Sequence, residues 1–220
     1  PFDRAASAAA AKMAACYTLM REQCAAVAAA ATGTTAAAAG TAAGATGSVV
    51  GQIAKLKGCR TVGIAGGEKK CAWLTDVAKF DSAIDYKSED VSERIGELCP
   101  NKWDVFFDNV AGPILEAALN HLNLYSRVVM CGGIANYNNI EPEPGPNNLM
   151  NIVTNRCRMQ GFIILDYLPR AMEAIEALVG WVSAGDIVYE VDVQEGFDNI
   201  PQTLQRLYTG ENFGKQLLKI

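Results

Sequence analysis

A chain of 220 residues, half hydrophobic, one fifth charged and carrying a net charge of −5, is long enough to bury a core and too acidic for nucleic acid to be its main partner. No apolar run reaches the eighteen or so residues that cross a bilayer, and no basic-then-apolar leader suggests export. Seven cysteines are dispersed without a CxxC pair, which reads as free thiols in a reducing, cytoplasmic setting, and the single histidine, His121, has no partners with which to hold a metal.

Residues 1–43 are alanine-rich, in runs such as AASAAAAK and TTAAAAG. A strand packs through β-branched or aromatic side chains, and Ala36 to Ala39 offer none. The segment reads either as an alanine-rich helix and linker or as alanines standing in for side chains that were not identified. The abrupt change of composition at Gly44 favours the second.

From Gly44 the rhythm is regular. SVVGQIAKL has helical spacing, RTVGIAG is a short buried strand, and EKKCAWLTDVA is again a helix. SAIDY (strand), VSERIGELC (helix), WDVFFDNV (strand), GPILEAALNHL (helix) and SRVVMCGG (strand) continue the alternation. After the loop IANYNNIEPEPGPNN come a short helix near Leu149 to Asn155, a strand in RMQGFIILDY and the helix RAMEAIEALVGWVSAG. Strands apolar on both faces and alternating with helices predict a doubly wound parallel α/β sheet, a Rossmann fold, over 44–190. After Gly185 the pattern breaks into strand, helix and strand, so 191–220 is expected to pack on something beyond the sheet.

Gly44, Gly47 and Gly51 form a GxxGxxxG turn ahead of the first helix. Gly44 is expected to permit a tight turn, Gly47 the approach of a pyrophosphate, and Gly51 close packing of the helix, whose N-terminus favours anions. The next strand ends in Ala65-Gly66-Gly67 and lacks the acid that binds ribose hydroxyls in NAD enzymes; Glu68 comes one or two residues late for that role. The small residues leave room for a 2′-phosphate, which Lys70 could neutralise.

The segments AAGATGSVVGQIAKLKGCRTVGIAGG, AIDYKSEDV, DVFFDNVAG, VVMCGGIANYNN, RMQGFII and GENFGK, in that order, resemble the zinc-independent medium-chain dehydrogenase/reductases. The nearest branch is the NADPH-dependent prostaglandin, alkenal and curcumin reductase group. The likeness runs from Gly44 to Ile220 and leaves out the amino-terminal GroES-like substrate domain of that family, to which the last thirty or so residues would return.

The resemblance implies NADPH as cofactor, held by Ala45, Thr46, Gly47 and Ser48, with Lys70 and Tyr86 at the 2′-phosphate. Asn109 would stand beside the ribose and nicotinamide. The backbone of Cys131, Gly132, Gly133 and Ile134, as far as Tyr137, would line the nicotinamide side. Phe162, Ile163 and Ile164 would meet the carboxamide, and Asn212 would make a further contact. It implies reduction of the carbon–carbon double bond of α,β-unsaturated ketones or aldehydes by a cytoplasmic homodimer that needs no metal. Quinone reduction and non-catalytic NADPH binding are the alternatives. Several relatives have a tyrosine where this chain has Thr154, which leaves Tyr137 as the candidate catalytic phenol. Cys131 has no basic neighbour in sequence to activate it. The loop from Ile134 to Asn148, rich in proline and asparagine, is expected to leave the carboxyl edge of the sheet and serve as a lid or binding loop.

Overall fold

The computed structural model describes residues 36–40, 42–141 and 144–220. Its main layer is a six-stranded parallel sheet in the order β3-β2-β1-β4-β5-β6. The strands are β1 (Ala36–Ala39), β2 (Arg60–Ala65), β3 (Ser82–Asp85), β4 (Trp103–Asp108), β5 (Leu122–Met130) and β6 (Arg158–Gly161). Helices α1 (Gly47–Leu56), α2 (Glu68–Asp76), α3 (Val91–Leu98), α4 (Gly112–Leu119), α5 (Met150–Thr154) and α6 (Ala171–Ala184) make the connections. The order reverses between β1 and β4, which is where doubly wound sheets bind ligands, outside the strands' carboxyl ends.

β1 corrects one expectation, that Ala36–Ala39 are unsuited to a strand. Ala36–Ala39 pair in parallel with β2 on one side and β4 on the other, so the central strand lies ahead of residue 44. Bulk comes from its neighbours. Ala37 packs with Val50, Ile53, Val105 and Phe107, and Ala39 with Trp73, Leu74 and Phe80. A strand enclosed on both faces can be made of small residues when the flanking layers fill the space. The readings of residues 1–35 and of Thr41 lie outside the described residues.

Two boundaries also differ. β5 begins at Leu122, earlier than the apolar run SRVVMCGG, because its pairing with β4 resumes after a register shift between Trp103 and Val105. β6 stops at Gly161, where a strand was expected through Tyr167. Ile164–Arg170 form a 3-10 helix instead, and the ring of Pro169 cannot supply a ladder donor.

The C-terminal segment forms its own two-stranded parallel sheet, β7 (Val191–Glu195) with β8 (Lys215–Lys219), joined through α7 (Ile200–Thr209). It is fastened to the first strand-to-helix turn: Gly214 donates its N–H to the carbonyl of Ala43 at 3.0 Å, and Gly44 bridges to Gly214. At Gly214, φ is +73° and a Cβ would lie 2.2 Å from the Glu190 carbonyl oxygen, so only glycine fits this junction. Among the described residues no helix is long and apolar enough to cross a membrane.

Candidate functional site

A cleft of about 930 Å³ opens along the carboxyl ends of β1, β2 and β4 and under α7. Its floor is the turn from Ala43 to Gly47. No side chain caps α1, so its N-terminus is open to an anion. Ser48 is already committed to the helix: its N–H donates to the Gly44 carbonyl at 3.1 Å, and the residue is buried. Gly51 does allow a close approach, but by a ring and not by a strand. A Cβ there would fall 1.9 Å from Cζ of Phe80.

At the β2 end, Lys70 and Tyr86 both line the cleft, beside Ala65 and Gly66. The Lys70 ammonium donates to the Gly210 carbonyl at 2.6 Å. Burial holds its pKa below the ordinary lysine value, and the charge of Lys87 pulls the same way. Asp85, at the end of β3, accepts from the amide of Gly67 at 2.7 Å and of Lys87 at 3.0 Å. The Gly67 amide is the main reason that its carboxyl lies below the usual carboxylate range. Among the described residues no acid closes the end of β2 itself, where the chain reads Ala65-Gly66-Gly67.

At the β4 end, Asn109 lines the cleft with Val110 and Ala111. The preceding residue, Asp108, is fully buried and was not singled out by sequence. Its carboxylate accepts from Val110 at 2.8 Å and from Ala111 at 3.1 Å. Ala111 has φ +63°, a conformation that costs an L residue of order 1–3 kcal/mol, so the aspartate secures a strained turn. Burial raises the Asp108 carboxyl above its ordinary value. The legible signal was an aspartate two and three residues ahead of the amides that it bonds, an Asx turn at a helix start.

Tyr137 and Asn109 converge over the glycine pair at the end of β5. A Cβ on Gly132 would lie 2.7 Å from the Asn109 side-chain oxygen and 3.1 Å from the Tyr137 hydroxyl, which accepts the Gly133 N–H at 3.3 Å. Ile134 borders the cleft, with Ala135 and Asn138 from the same loop, while Glu141 is exposed and residues 142 and 143 lie outside the described residues.

Other expected contacts do not line this cleft. Cys131 and Phe162 pack against the core around Phe107, and Ile163 projects into solvent. Asn212 does border it, with its side-chain amide donating to the Gly214 carbonyl at 3.2 Å. Sequence reasoning also missed the wall from Glu89 to Ser92 and the roof of Leu207, Tyr208 and Gly210, because only the fold brings α3 and α7 to this edge. Cys71, Cys99 and Cys157 are free thiols whose pKa values burial raises, that of Cys71 to about 11, while Cys16 and Cys24 lie outside the described residues. No group of three or more His, Cys, Asp or Glu that could hold a metal ion occurs among the described residues.

The zinc-binding dehydrogenase family matches residues 45–182. The chain belongs to this family, the medium-chain dehydrogenase/reductases. It is 40% identical over 179 residues to the NADPH-dependent curcumin reductase of Escherichia coli, covering 79% of this chain and 52% of that protein. Its identity to the NADP(+)-dependent 2-alkenal reductase of Nicotiana tabacum is 39% over 175 residues, 79% of this chain and 51% of that one. CurA of Vibrio vulnificus, solved in complex with NADPH, superposes with a TM-score of 0.80 at 38% identity, over 84% of this chain and 57% of its own. The chain thus spans about half the length of the curated relatives it matches.

Proposed function

We propose that this medium-chain dehydrogenase/reductase chain binds NADPH and serves reduction of the carbon–carbon double bond of α,β-unsaturated ketones or aldehydes. The observation that carries the cofactor reading is the β2 end of the cleft, where Lys70 and Tyr86 stand beside bare glycine and no strand-end acid competes. The double-bond chemistry comes from the relatives, an alkenal reductase and a curcumin reductase among them.

The residues suit the group. The uncapped start of α1 offers amides to a pyrophosphate, and Lys70 offers a cation to a 2′-phosphate. NADPH, when bound, would supply the hydride for the β-carbon of the enone; a proton then goes to the α-carbon. Asn109 would orient the ribose and nicotinamide end, held by the Asp108 clamp. The Gly132–Gly133 backbone would let the ring approach. Tyr137, whose hydroxyl lies over this pair, would be the phenol that donates toward a developing enolate oxygen. Contacts from Cys131, Phe162, Ile163 and Ile164 belong to the same proposal, with their backbone and not the cleft wall as the point of contact. Homodimer assembly and a cytoplasmic location rest on the family resemblance.

The test is NADPH oxidation by the purified protein with an enone, with a quinone and with no acceptor. Turnover with the enone supports the reading, whereas turnover with the quinone alone replaces it by quinone reduction, and cofactor binding without turnover on either leaves a binding protein. Lys70→Ala should raise the Michaelis constant for NADPH about tenfold and leave NADH nearly unchanged. Equal losses for both cofactors would overturn the assignment of Lys70.

A further inference from the structure

Side chains from the exit of β3 and the start of α2 meet around two glycines, Gly66 after β2 and Gly210 after α7. A Cβ at Gly66 would lie 2.8 Å from the Tyr86 hydroxyl and 2.9 Å from Cε of Lys87, so both side chains rest on the same bare backbone at the end of β2. From above, a Cβ at Gly210 would stand 3.3 Å from the Tyr86 hydroxyl, and the Gly210 carbonyl receives the Lys70 ammonium. Lys87 therefore reaches the place where Lys70 and Tyr86 already converge.

Consecutive residues of an extended chain point apart, so the meeting of Tyr86 and Lys87 needs a cause. Asp85 supplies it. Its carboxylate takes the amides of both Gly67 and Lys87, and its carbonyl accepts from Ser88 at 3.1 Å, which folds the exit of β3 into a turn against the start of α2.

We propose that Lys87 is a second cation for the 2′-phosphate of the cofactor and sets the preference for the phosphorylated dinucleotide together with Lys70. This rests on the NADPH reading above. Among the described residues the Lys87 ammonium forms no ion pair, and its positive charge is the largest charge acting on Lys70. Two cations beside each other, one resting on a neutral carbonyl, are an arrangement that a phosphate dianion relieves. Asp85 directs its carboxylate at the amides of Gly67 and Lys87, though the charge of Lys87 also acts on it, and Asp192 attracts Lys70.

Calorimetric titration of the full chain with 2′,5′-ADP and with 5′-AMP tests this without turnover. The wild type should prefer 2′,5′-ADP. Lys87→Ala should weaken 2′,5′-ADP about fivefold, flatten its salt dependence and leave 5′-AMP unchanged. Lys87→Arg should keep most of the affinity, and Lys87→Glu should lose more than the alanine variant. If Lys70→Ala weakens 2′,5′-ADP while Lys87→Ala does not, Lys87 has no such role and the NADPH reading stands. Equal loss of both nucleotides in Lys87→Ala marks a structural role and overturns the proposal. A wild type indifferent to the 2′-phosphate removes the NADPH reading and this inference with it.

Discussion

The first four strands and the rest of the chain are finished to different degrees. Every residue of β4 is buried, as are Thr61 to Ala65 of β2, and the large apolar side chains exposed before residue 120 among those described are Leu56, Val77 and Tyr86. Beyond that point β6 and β7 carry exposed residues, and Met172, Val179, Val193, Phe197, Leu204 and Ile220 all face outward. The first half buries its own surface, whereas the second half shows apolar surface that the described chain leaves open. The cleft sits at their junction, and the groups proposed to grip the cofactor's phosphate stand in the finished part. Such division suits a rigid platform on one side of a cofactor and a site completed by other material on the other.

The platform can be broken most severely at Asp108. Removing its carboxylate leaves the half-buried amides of Val110 and Ala111 without that partner, so Asp108→Ala should cost about 2 kcal/mol in denaturant unfolding. Asp108→Asn keeps an acceptor oxygen and should lie within about 1 kcal/mol of wild type. The two also separate by pH. A carboxyl raised by burial binds its proton more tightly folded than unfolded, so it contributes stability at acid pH. That contribution is lost as pH rises from the unfolded value of about 3.9 through the folded one. Wild type should therefore gain on Asp108→Asn as the pH falls below the carboxylate range. Asp85 should do the opposite, because its amide-bonded carboxyl is depressed: the stability that it contributes is lost on acidification. A common pH trend for both would show that the two strand ends are not built differently.

Gly51 gives the next effect. Its missing Cβ admits the Phe80 ring, so Gly51→Ala should destabilise by about 1–3 kcal/mol through overpacking. Paired with Phe80→Ala, the double variant should be more stable than the sum of the single losses by at least about 0.5 kcal/mol. Strict additivity would mean that helix and ring do not meet.

The legibility of the chain follows the same division. Helices and strands from Ser48 to Met130 could be read because each buries an apolar face at its own period, as Val49, Val50 and Ile53 do on α1. The central strand could not be read, since alanines carry no shape of their own, and Ala37 and Ala39 are buried beside Phe107 and Trp73. In the site, Lys70 was visible from the strand end before it, and Tyr86 and Asn109 through the family resemblance. Gly210 and Lys87 were not, because what brings them to Gly66 is a chain reversal of more than a hundred residues in one case and a carboxylate turn in the other. The strand expected through Tyr167 failed for a local reason: after Phe162 donates to the Met130 carbonyl at 3.3 Å, Asp166 turns back to bond Ile163.

The smallest effect belongs to the open side, and it is the sharpest check on the comparison. Val179 follows the buried Leu178 on α6, yet 59% of its surface is exposed. An exposed valine contributes little transfer free energy, and alanine is the better helix former, so the two terms nearly cancel. Val179→Ala should therefore shift the unfolding free energy by no more than about 0.5 kcal/mol in either direction. The measurement is a pair of denaturant curves with equal slopes. A loss of 1 kcal/mol or more would mean that this face of α6 is covered in solution, and the contrast between a finished and an open half would fail at the helix where it is most exposed to test.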